Sequence, residues 1–172
     1  MQIEIREKNG DLIYKNGHRN LKGAIQKCRK EKINLSGASL EGADLVGVDF
    51  CAEYLRGANL SSADLRGAFL HDANLESASL EGADLRGASL LCADLEGADL
   101  SGARLEGADL RGANLIYTNL AGADLRGASL KYVELRSTKL EGANFEGADL
   151  EGAKLPSSLK GASCGQTEKT NK

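Results

Sequence analysis

Residues that could carry chemistry are few in this chain of 172 residues, and their spacing matches no catalytic motif. The two histidines, His18 and His71, stand in different sequence contexts. The four cysteines show neither disulfide nor zinc-ligand spacing; they are Cys28, Cys51, Cys92 and Cys164. No nucleophile–base pairing and no phosphate-cradling loop is evident. The sequence therefore predicts a protein without catalytic residues, bound metal or cofactor.

A five-residue repeat that runs from residue 33 to residue 157 dominates the chain. Every fifth position from Leu35 to Leu155 is Leu or Phe, usually with Ala two positions before it and Gly two positions after it. Ala-x-Leu places two apolar side chains on the same side of an extended segment, and Gly supplies the positive φ of a tight turn. Such short units bury their apolar side only by stacking, which predicts a solenoid.

Typical blocks read Ala-Asp-Leu-Glu-Gly (93–97) and Ala-Asn-Leu-Ser-Ser (58–62). They match the consensus A(D/N)LXX, and the chain resembles the pentapeptide-repeat proteins over about three-quarters of its length. The resemblance implies an all-β solenoid, a right-handed quadrilateral β-helix with four pentapeptides in each coil and about six coils. In that fold the central Leu and the preceding Ala point inward, as a solenoid core requires.

The geometry implied by the family stacks residues that are twenty positions apart. One side then has an inward core stack of Leu45, Leu65, Leu85, Leu105, Leu125 and Phe145. Before these residues stand Asp44, Asp64, Asp84, Arg104, Asp124 and Asn144, and after them Val46, Arg66, Arg86, Glu106, Arg126 and Glu146. Both charges change sign together at positions 104 and 106. We therefore expect a salt-bridge lattice on this side.

Residues 1–32 are predicted to form an N-terminal cap on the repeat domain, 33–157. Residues 2–15 indicate a β-hairpin that turns at Asn9-Gly10, and Leu21–Lys32 indicates an amphipathic helix. Basic residues fill the C-terminal half of this helix, and we expect their charges to be solvated. Residues 158–172 are expected to be a cap remnant followed by a disordered tail.

Departures from the repeat identify a candidate interaction surface. Apolar or aromatic residues and one histidine take outward positions at Tyr54, Phe69, His71, Leu91, Ile116, Tyr117 and Tyr132. Scattered apolar residues are normal on a surface, but several together indicate a partner-binding or self-association patch.

Two further positions depart from the pattern in ways that bear on chemistry. Glu53 stands where Ala is expected, so its carboxylate either turns outward or is hydrogen-bonded, because an unpaired buried charge is costly. In the implied geometry Cys51, His71 and Asp72 stack one coil apart, which is only a weak indication of a metal site.

The charge of the chain is divided between its parts. The repeats carry 20 acidic and 10 basic side chains, whereas residues 1–32 carry 4 acidic and 9 basic ones. No apolar leader or membrane span is evident, so we expect a cytoplasmic protein with free thiols and no membrane or direct nucleic-acid contact.

Two functions remain open. The first is a non-enzymatic structural or protein-interaction module whose protein partner the sequence does not identify. The alternative is a DNA mimic that binds DNA gyrase, as some proteins of the family do, with the acidic β-helix in place of duplex DNA. Against the alternative, arginines interleave the aspartates, and the chain lacks the C-terminal dimer module and loop interruptions of the gyrase-directed members.

Overall fold

The computed structural model describes residues 3–6, 12–16 and 21–156. Two strands and a helix precede the repeats: β1 (Ile3–Arg6), β2 (Leu12–Asn16) and α1 (Leu21–Lys30). Strands β1 and β2 pair antiparallel, with an irregularity between Ile5 and Arg6. The Asn9-Gly10 turn expected between them lies outside the described residues, as does the expected tail at 158–172.

Helix α1 ends two residues before the predicted limit at Lys32. Lys32 lies in the left-handed region, with φ of 55°. The N–H of Ile33 donates to the carbonyl of Cys28 at 2.9 Å, and the N–H of Lys32 donates to that of Arg29 at 3.0 Å. These two bonds form a Schellman motif, which turns the chain out of the helix and into the first repeat.

The repeats form a solenoid in which each coil contains twenty residues. Parallel bridges join residues twenty positions apart, from Ser39 with Asn59 to Glu134 with Lys154. Twenty residues hold four five-residue blocks, so each coil has four sides. We name the sides after the central residues of one coil: Leu60, Leu65, Leu70 and Leu75.

Tight turns at the corners separate the four sides. In the turn from Leu45 to Val48, the N–H of Val48 donates to the carbonyl of Leu45 at 3.0 Å, and Gly47 has φ of 64°. A positive φ at the third residue of the turn only, together with this hydrogen bond, defines a type II turn. Gly is therefore frequent at this position because it adopts positive φ without steric cost.

The core is filled by the central residues and by the residues two positions before them. The core stack on the Leu65 side is buried along the rod; its members are Leu45, Leu65, Leu85, Leu105, Leu125 and Phe145. Thr118 replaces Ala at an inward position, and its Oγ1 donates to the carbonyl of Leu95 at 2.8 Å. The hydroxyl is thus buried without losing its hydrogen bond.

The N-terminal elements contact the first coil directly. Ile5 of β1 and Ala24, Ile25 and Cys28 of α1 belong to the same buried cluster as the solenoid core. The N–H of Ser39 in the first coil donates to the carbonyl of Arg6 at 2.6 Å. One coil further on, the equivalent N–H of Asn59 donates to the carbonyl of Ala38. Strand β1 thereby supplies an acceptor to the first coil, where no preceding coil exists.

Candidate functional site

The register of the solenoid brings Cys51 and His71 into contact. Each follows the central residue of its block on the Leu70 side, and the Sγ atom of Cys51 lies 2.9 Å from Nδ1 of His71. The carboxylate of Asp49 accepts the N–H of Cys51 at 3.0 Å. The contact joins a thiol and an imidazole that the implied stacking of residues twenty positions apart places in neighbouring coils.

The surroundings of Cys51 argue against nucleophilic chemistry. Its side chain is 8% exposed, and burial together with the nearby Asp49 carboxylate raises the pKa of the thiol to about 11. The attacking species of a cysteine is the thiolate, which is scarce at neutral pH when the pKa is this high. Within the described residues, no group of three or more His, Cys, Asp or Glu could hold a metal ion. The contact therefore serves as a hydrogen bond between two coils.

Glu53 remains at its inward position and is paired. Its Oε1 lies 3.6 Å from Nε of Arg29 in α1, and Arg29 also forms an ion pair with Asp49. Burial raises the pKa of Glu53, and the charge of Arg29 offsets part of that effect. Lys22 lies 3.0 Å from Asp44. The expectation that the basic charges in the C-terminal half of the helix are solvated is therefore wrong for Arg29, and Lys22 in the first turn also pairs with the rod.

An open cleft of about 590 Å³ lies between α1 and the neighbouring coil. Helix α1 contributes basic and amide side chains, and the coil contributes acidic ones. Because Arg29 is already bound to Asp49 and Glu53 from the opposite wall, the charges of the cleft largely satisfy one another. The cleft therefore follows from the docking of α1 against the rod.

Arginines on the Leu65 side bind the aspartates two residues before them. The Nε and terminal nitrogen of Arg66 donate to the two oxygens of Asp64 at 2.8 and 2.6 Å. The same arrangement recurs at Asp84 with Arg86 and at Asp124 with Arg126. These guanidinium groups hold the pKa of Asp64, Asp84 and Asp124 below the ordinary value for aspartate.

Bonds between coils extend this pairing into the predicted lattice. Arg104, which replaces an aspartate, donates to Asp84 one coil away at 3.3 Å. Arg126 reaches Glu106 one coil away at 3.3 Å. The joint change of sign at positions 104 and 106 therefore keeps opposite charges adjacent both within a coil and between coils.

The Leu60 and Leu75 sides differ from this arrangement. Six of their carboxylates have no Lys or Arg nitrogen within 4.0 Å among the described residues; they are Glu41, Glu81, Asp94, Glu96, Asp99 and Glu141. Some accept hydrogen bonds from neutral amides instead, as Asp94 does from Asn114 at 3.0 Å and Asp99 does from Asn119 at 3.1 Å. These sides keep the negative charge that arginines cancel on the Leu65 side.

The outward apolar residues fall into separate groups. Phe69 is 52% exposed on the Leu70 side, and it bridges Ser89 in the coil that carries Leu91, which is half-buried. His71 is exposed two residues after Phe69, and Tyr54, 62% exposed, begins the adjoining Leu75 side. We refer to these four residues, Tyr54, Phe69, His71 and Leu91, as the Phe69 patch.

The remaining predicted surface residues lie elsewhere on the rod. Tyr117 is 68% exposed beside the half-buried Ile116, at the corner between the Leu75 and Leu60 sides. Tyr132 is exposed at the corner after Leu130, and its ring lies over Gly152. The register therefore places the seven predicted surface residues on different sides and corners of the rod.

This fold and its repeats define a β-solenoid built from five-residue units. The sequence model for pentapeptide repeats matches eight copies, over residues 33–70, 54–90, 93–131 and 118–156. The chain belongs to the pentapeptide-repeat family, whose members fold as right-handed quadrilateral β-helices. No curated protein sequence matches the chain.

Solved structures of pentapeptide-repeat proteins resemble the chain. One, from the thylakoid lumen of Arabidopsis thaliana, is 34% identical, with 73% of this chain and 70% of that chain covered and a TM-score of 0.41. HetL, involved in heterocyst differentiation regulation in the cyanobacterium Nostoc sp. strain PCC 7120, is 36% identical over 69% of this chain and 68% of its own, with a TM-score of 0.32. The plasmid-mediated fluoroquinolone resistance protein QnrB1 is 24% identical, with 67% of this chain and 69% of that chain covered and a TM-score of 0.41.

The described part of the chain contains no helix with the length and apolar character needed to cross a bilayer.

Proposed function

We propose that this chain is a non-enzymatic interaction module whose rigid β-helix presents the Phe69 patch to a protein partner. The exposure of Phe69 carries the proposal. The equivalent outward positions in the other coils are polar; they are Asp49, Ser89, Asp109, Ser129 and Asp149. Removing apolar surface from water is favourable by about 25 cal/mol per Å², so an exposed Phe69 one coil from the half-buried Leu91 favours contact with another apolar surface.

Binding, rather than catalysis, agrees best with the chemistry of the described residues. The nearest approach to a catalytic pair is Cys51 with His71, and burial and Asp49 keep that thiol protonated. The regular core and turns fix the backbone around the patch, so little conformational entropy is lost on association.

The test is a quantitative pull-down from the source cells, combined with sedimentation velocity of the purified protein. Phe69→Ser with Leu91→Ser is expected to weaken a captured partner, or self-association, by about tenfold, equivalent to 1.4 kcal/mol. The matched control is Tyr117→Ser, which removes an even more exposed aromatic from another corner. Unchanged capture and sedimentation in the double variant would remove the proposal.

The second candidate is a DNA mimic that binds DNA gyrase. The six unpaired carboxylates on the Leu60 and Leu75 sides favour it, because a DNA-binding site attracts rows of negative charge. The arginine–aspartate pairs of the Leu65 side oppose it, since they neutralise the most regular row of aspartates. A supercoiling assay with gyrase, with and without a quinolone, decides the matter: no effect at micromolar protein rules this function out.

We also propose that the protein acts in the cytoplasm. Within the described residues, Cys28, Cys51 and Cys92 are free thiols, which is typical of proteins in a reducing compartment.

A further inference from the structure

The hydrogen-bond ladder between coils is interrupted on one side of the rod. From residue 35 to 135, every central residue donates its N–H to the carbonyl nineteen positions on, with Leu115 as the exception. Two further bonds of the regular pattern are missing between the same two coils, those from the N–H groups of Tyr117 and Glu134. The bridge between Asn114 and Glu134 is also missing, although both residues bridge to their other neighbours. We name this interruption on the Leu75 side the Leu115 gap.

The hydrogen bond at the corner before the gap is long, whereas the one on the side after the gap has a normal length. The N–H of Gly112, at the preceding corner, lies 3.4 Å from the carbonyl of Lys131, whereas the equivalent bond one coil earlier, from Cys92, is 3.0 Å. On the Leu60 side, beyond the gap, the N–H of Leu120 donates to Lys139 at a normal 2.8 Å. The two coils are therefore separated on one side and held together on the other three.

The turn from Leu135 to Thr138, which borders the gap, differs from the other turns of the rod. At the third position of every other repeat turn from residue 37 to residue 152, φ is positive, but Ser137 does not adopt this conformation. Serine tolerates it elsewhere on the same side, because Ser77 has φ of 57°. Without positive φ the turn is not type II, and the peptide after Arg136 is turned over. The carbonyl of Arg136, which would accept the N–H of Tyr117, then points away.

A side-chain bond spans the edge of the gap. The Oγ1 atom of Thr138 donates to the carbonyl of Leu115 at 3.0 Å. Thr118 makes the same contact with Leu95, where the ladder is complete, so threonine at this position does not open the coils. The other unusual residue is Val133, which is larger than the usual Ala and stacks above Ala113 in the core.

We propose that the turn Leu135–Thr138 is a two-state joint. In the open state described above, Ser137 avoids the left-handed region and the Leu115 gap lacks three hydrogen bonds. In the closed state the peptide turns over, Ser137 adopts the conformation of Ser77, and the three bonds form. The strain of a left-handed serine and the net gain of a few hydrogen bonds are similar in size and opposite in sign, so both states are populated.

Because the coils separate on one side and not on the other three, the last coils tilt relative to the rest of the rod. The exposed Tyr117 and its neighbour Ile116 border the gap, so the joint changes the surface around them. The coils that carry Phe69 and Leu91 have complete ladders. The joint is therefore independent of the proposed partner-binding patch.

Amide hydrogen exchange followed by NMR on the full chain tests the joint. In the unmodified protein, the amides of Leu115, Tyr117 and Glu134 are expected to exchange at least about tenfold faster than their counterparts one coil earlier; these counterparts are Leu95, Gly97 and Asn114. Ser137→Gly removes the cost of positive φ and is expected to slow the three amides at least about tenfold. The matched control is Ser77→Gly on the same side, where the turn is already left-handed, and it should leave them unchanged.

Two results would overturn the proposal. Equal protection of the gap amides and their counterparts in the unmodified protein would mean that no open state exists. Fast exchange that persists in Ser137→Gly but disappears in Val133→Ala would mean that crowding in the core, not the turn, holds the coils apart. Thermal unfolding of each variant establishes that exchange is compared between folded proteins.

Discussion

The Sγ atom of Cys51 lies 2.9 Å from Nδ1 of His71 in the next coil, and the carboxylate of Asp49 accepts the N–H of the same cysteine. In an exposed cleft with nearby cations, such a trio would favour a thiolate. Here burial and the negative charge of Asp49 act in the opposite direction and raise the pKa of Cys51 to about 11. The contact thus links two coils, and its chemistry can be measured directly.

Cys51 is expected to resist alkylation in the folded protein. Iodoacetamide at pH 7.5 should modify the exposed Cys92 well before Cys51, because only the thiolate attacks and Cys51 is both buried and protonated. Peptide mapping by mass spectrometry distinguishes the two sites, and denatured protein serves as the control for equal intrinsic reactivity. Labelling of Cys51 as fast as Cys92 in the native state would contradict the assignment.

Leu85→Lys is expected to unfold the rod. Leu85 is completely buried in the core stack, and an unpaired charge there costs more than about 3 kcal/mol. The matched control is Glu81→Lys in the same coil, whose side chain is exposed and should change stability little. Circular dichroism during thermal unfolding checks both variants, and an unchanged transition in Leu85→Lys would show that the central residues do not point inward.

Asp84 is expected to stabilise the fold in a pH-dependent manner. Its folded pKa is lowered, chiefly by the hydrogen bond from Arg86, so its contribution is complete above the unfolded pKa of about 3.9 and is lost as the pH falls through the folded pKa. Asp84→Asn should therefore cost up to about 1 kcal/mol at pH 7, and the difference should shrink as the pH falls below about 4.

The control for Asp84 is Asp94→Asn. Asp94 has no Lys or Arg nitrogen within 4.0 Å among the described residues and is bound by the amide of Asn114 instead. Urea unfolding at several pH values measures both variants. A loss in Asp94→Asn with the same size and pH profile as in Asp84→Asn would show that the lattice contributes nothing specific.

Gly152→Ala is expected to destabilise the rod more than Gly147→Ala. Both glycines have positive φ, 69° and 67°, so alanine costs about 1 kcal/mol at either position. A Cβ atom at residue 152 would also lie 2.5 Å from Cδ1 of Tyr132, whereas at residue 147 the nearest atom is 3.9 Å away. The difference should disappear in the Tyr132→Ala background; if it persists there, the ring contact is not its cause.

Most of the backbone could be predicted because the repeat fixes it. Leu85 is buried for the same reason as every other central residue, namely an unbroken period of five. The pairing of Asp64 with Arg66 was also predictable, because their positions two residues apart place both side chains on the outside of one block.

Features that depend on the approach of separate elements could not be predicted. The ion pair of Arg29 with Glu53 requires the docking angle of α1, which the repeat does not determine. Ser77 and Ser137 stand at equivalent positions, yet only Ser77 has positive φ, so residue type does not decide the turn. The Phe69 patch, by contrast, was predictable as a set of departures from the repeat, and the four-sided register implied by the family places Tyr117 and Tyr132 on other corners.

The most direct test of the proposed function is site-specific photo-cross-linking in the source cells. A photoreactive phenylalanine analogue at position 69 is expected to form a covalent adduct with a defined protein partner, or with a second copy of this chain, and Leu91→Ser should lower the yield of that adduct. The same analogue at position 117 is the matched control and should not form it, because Tyr117 lies at a different corner of the rod. No adduct at position 69, or the same adducts at both positions, would contradict the assignment of the Phe69 patch as a binding surface.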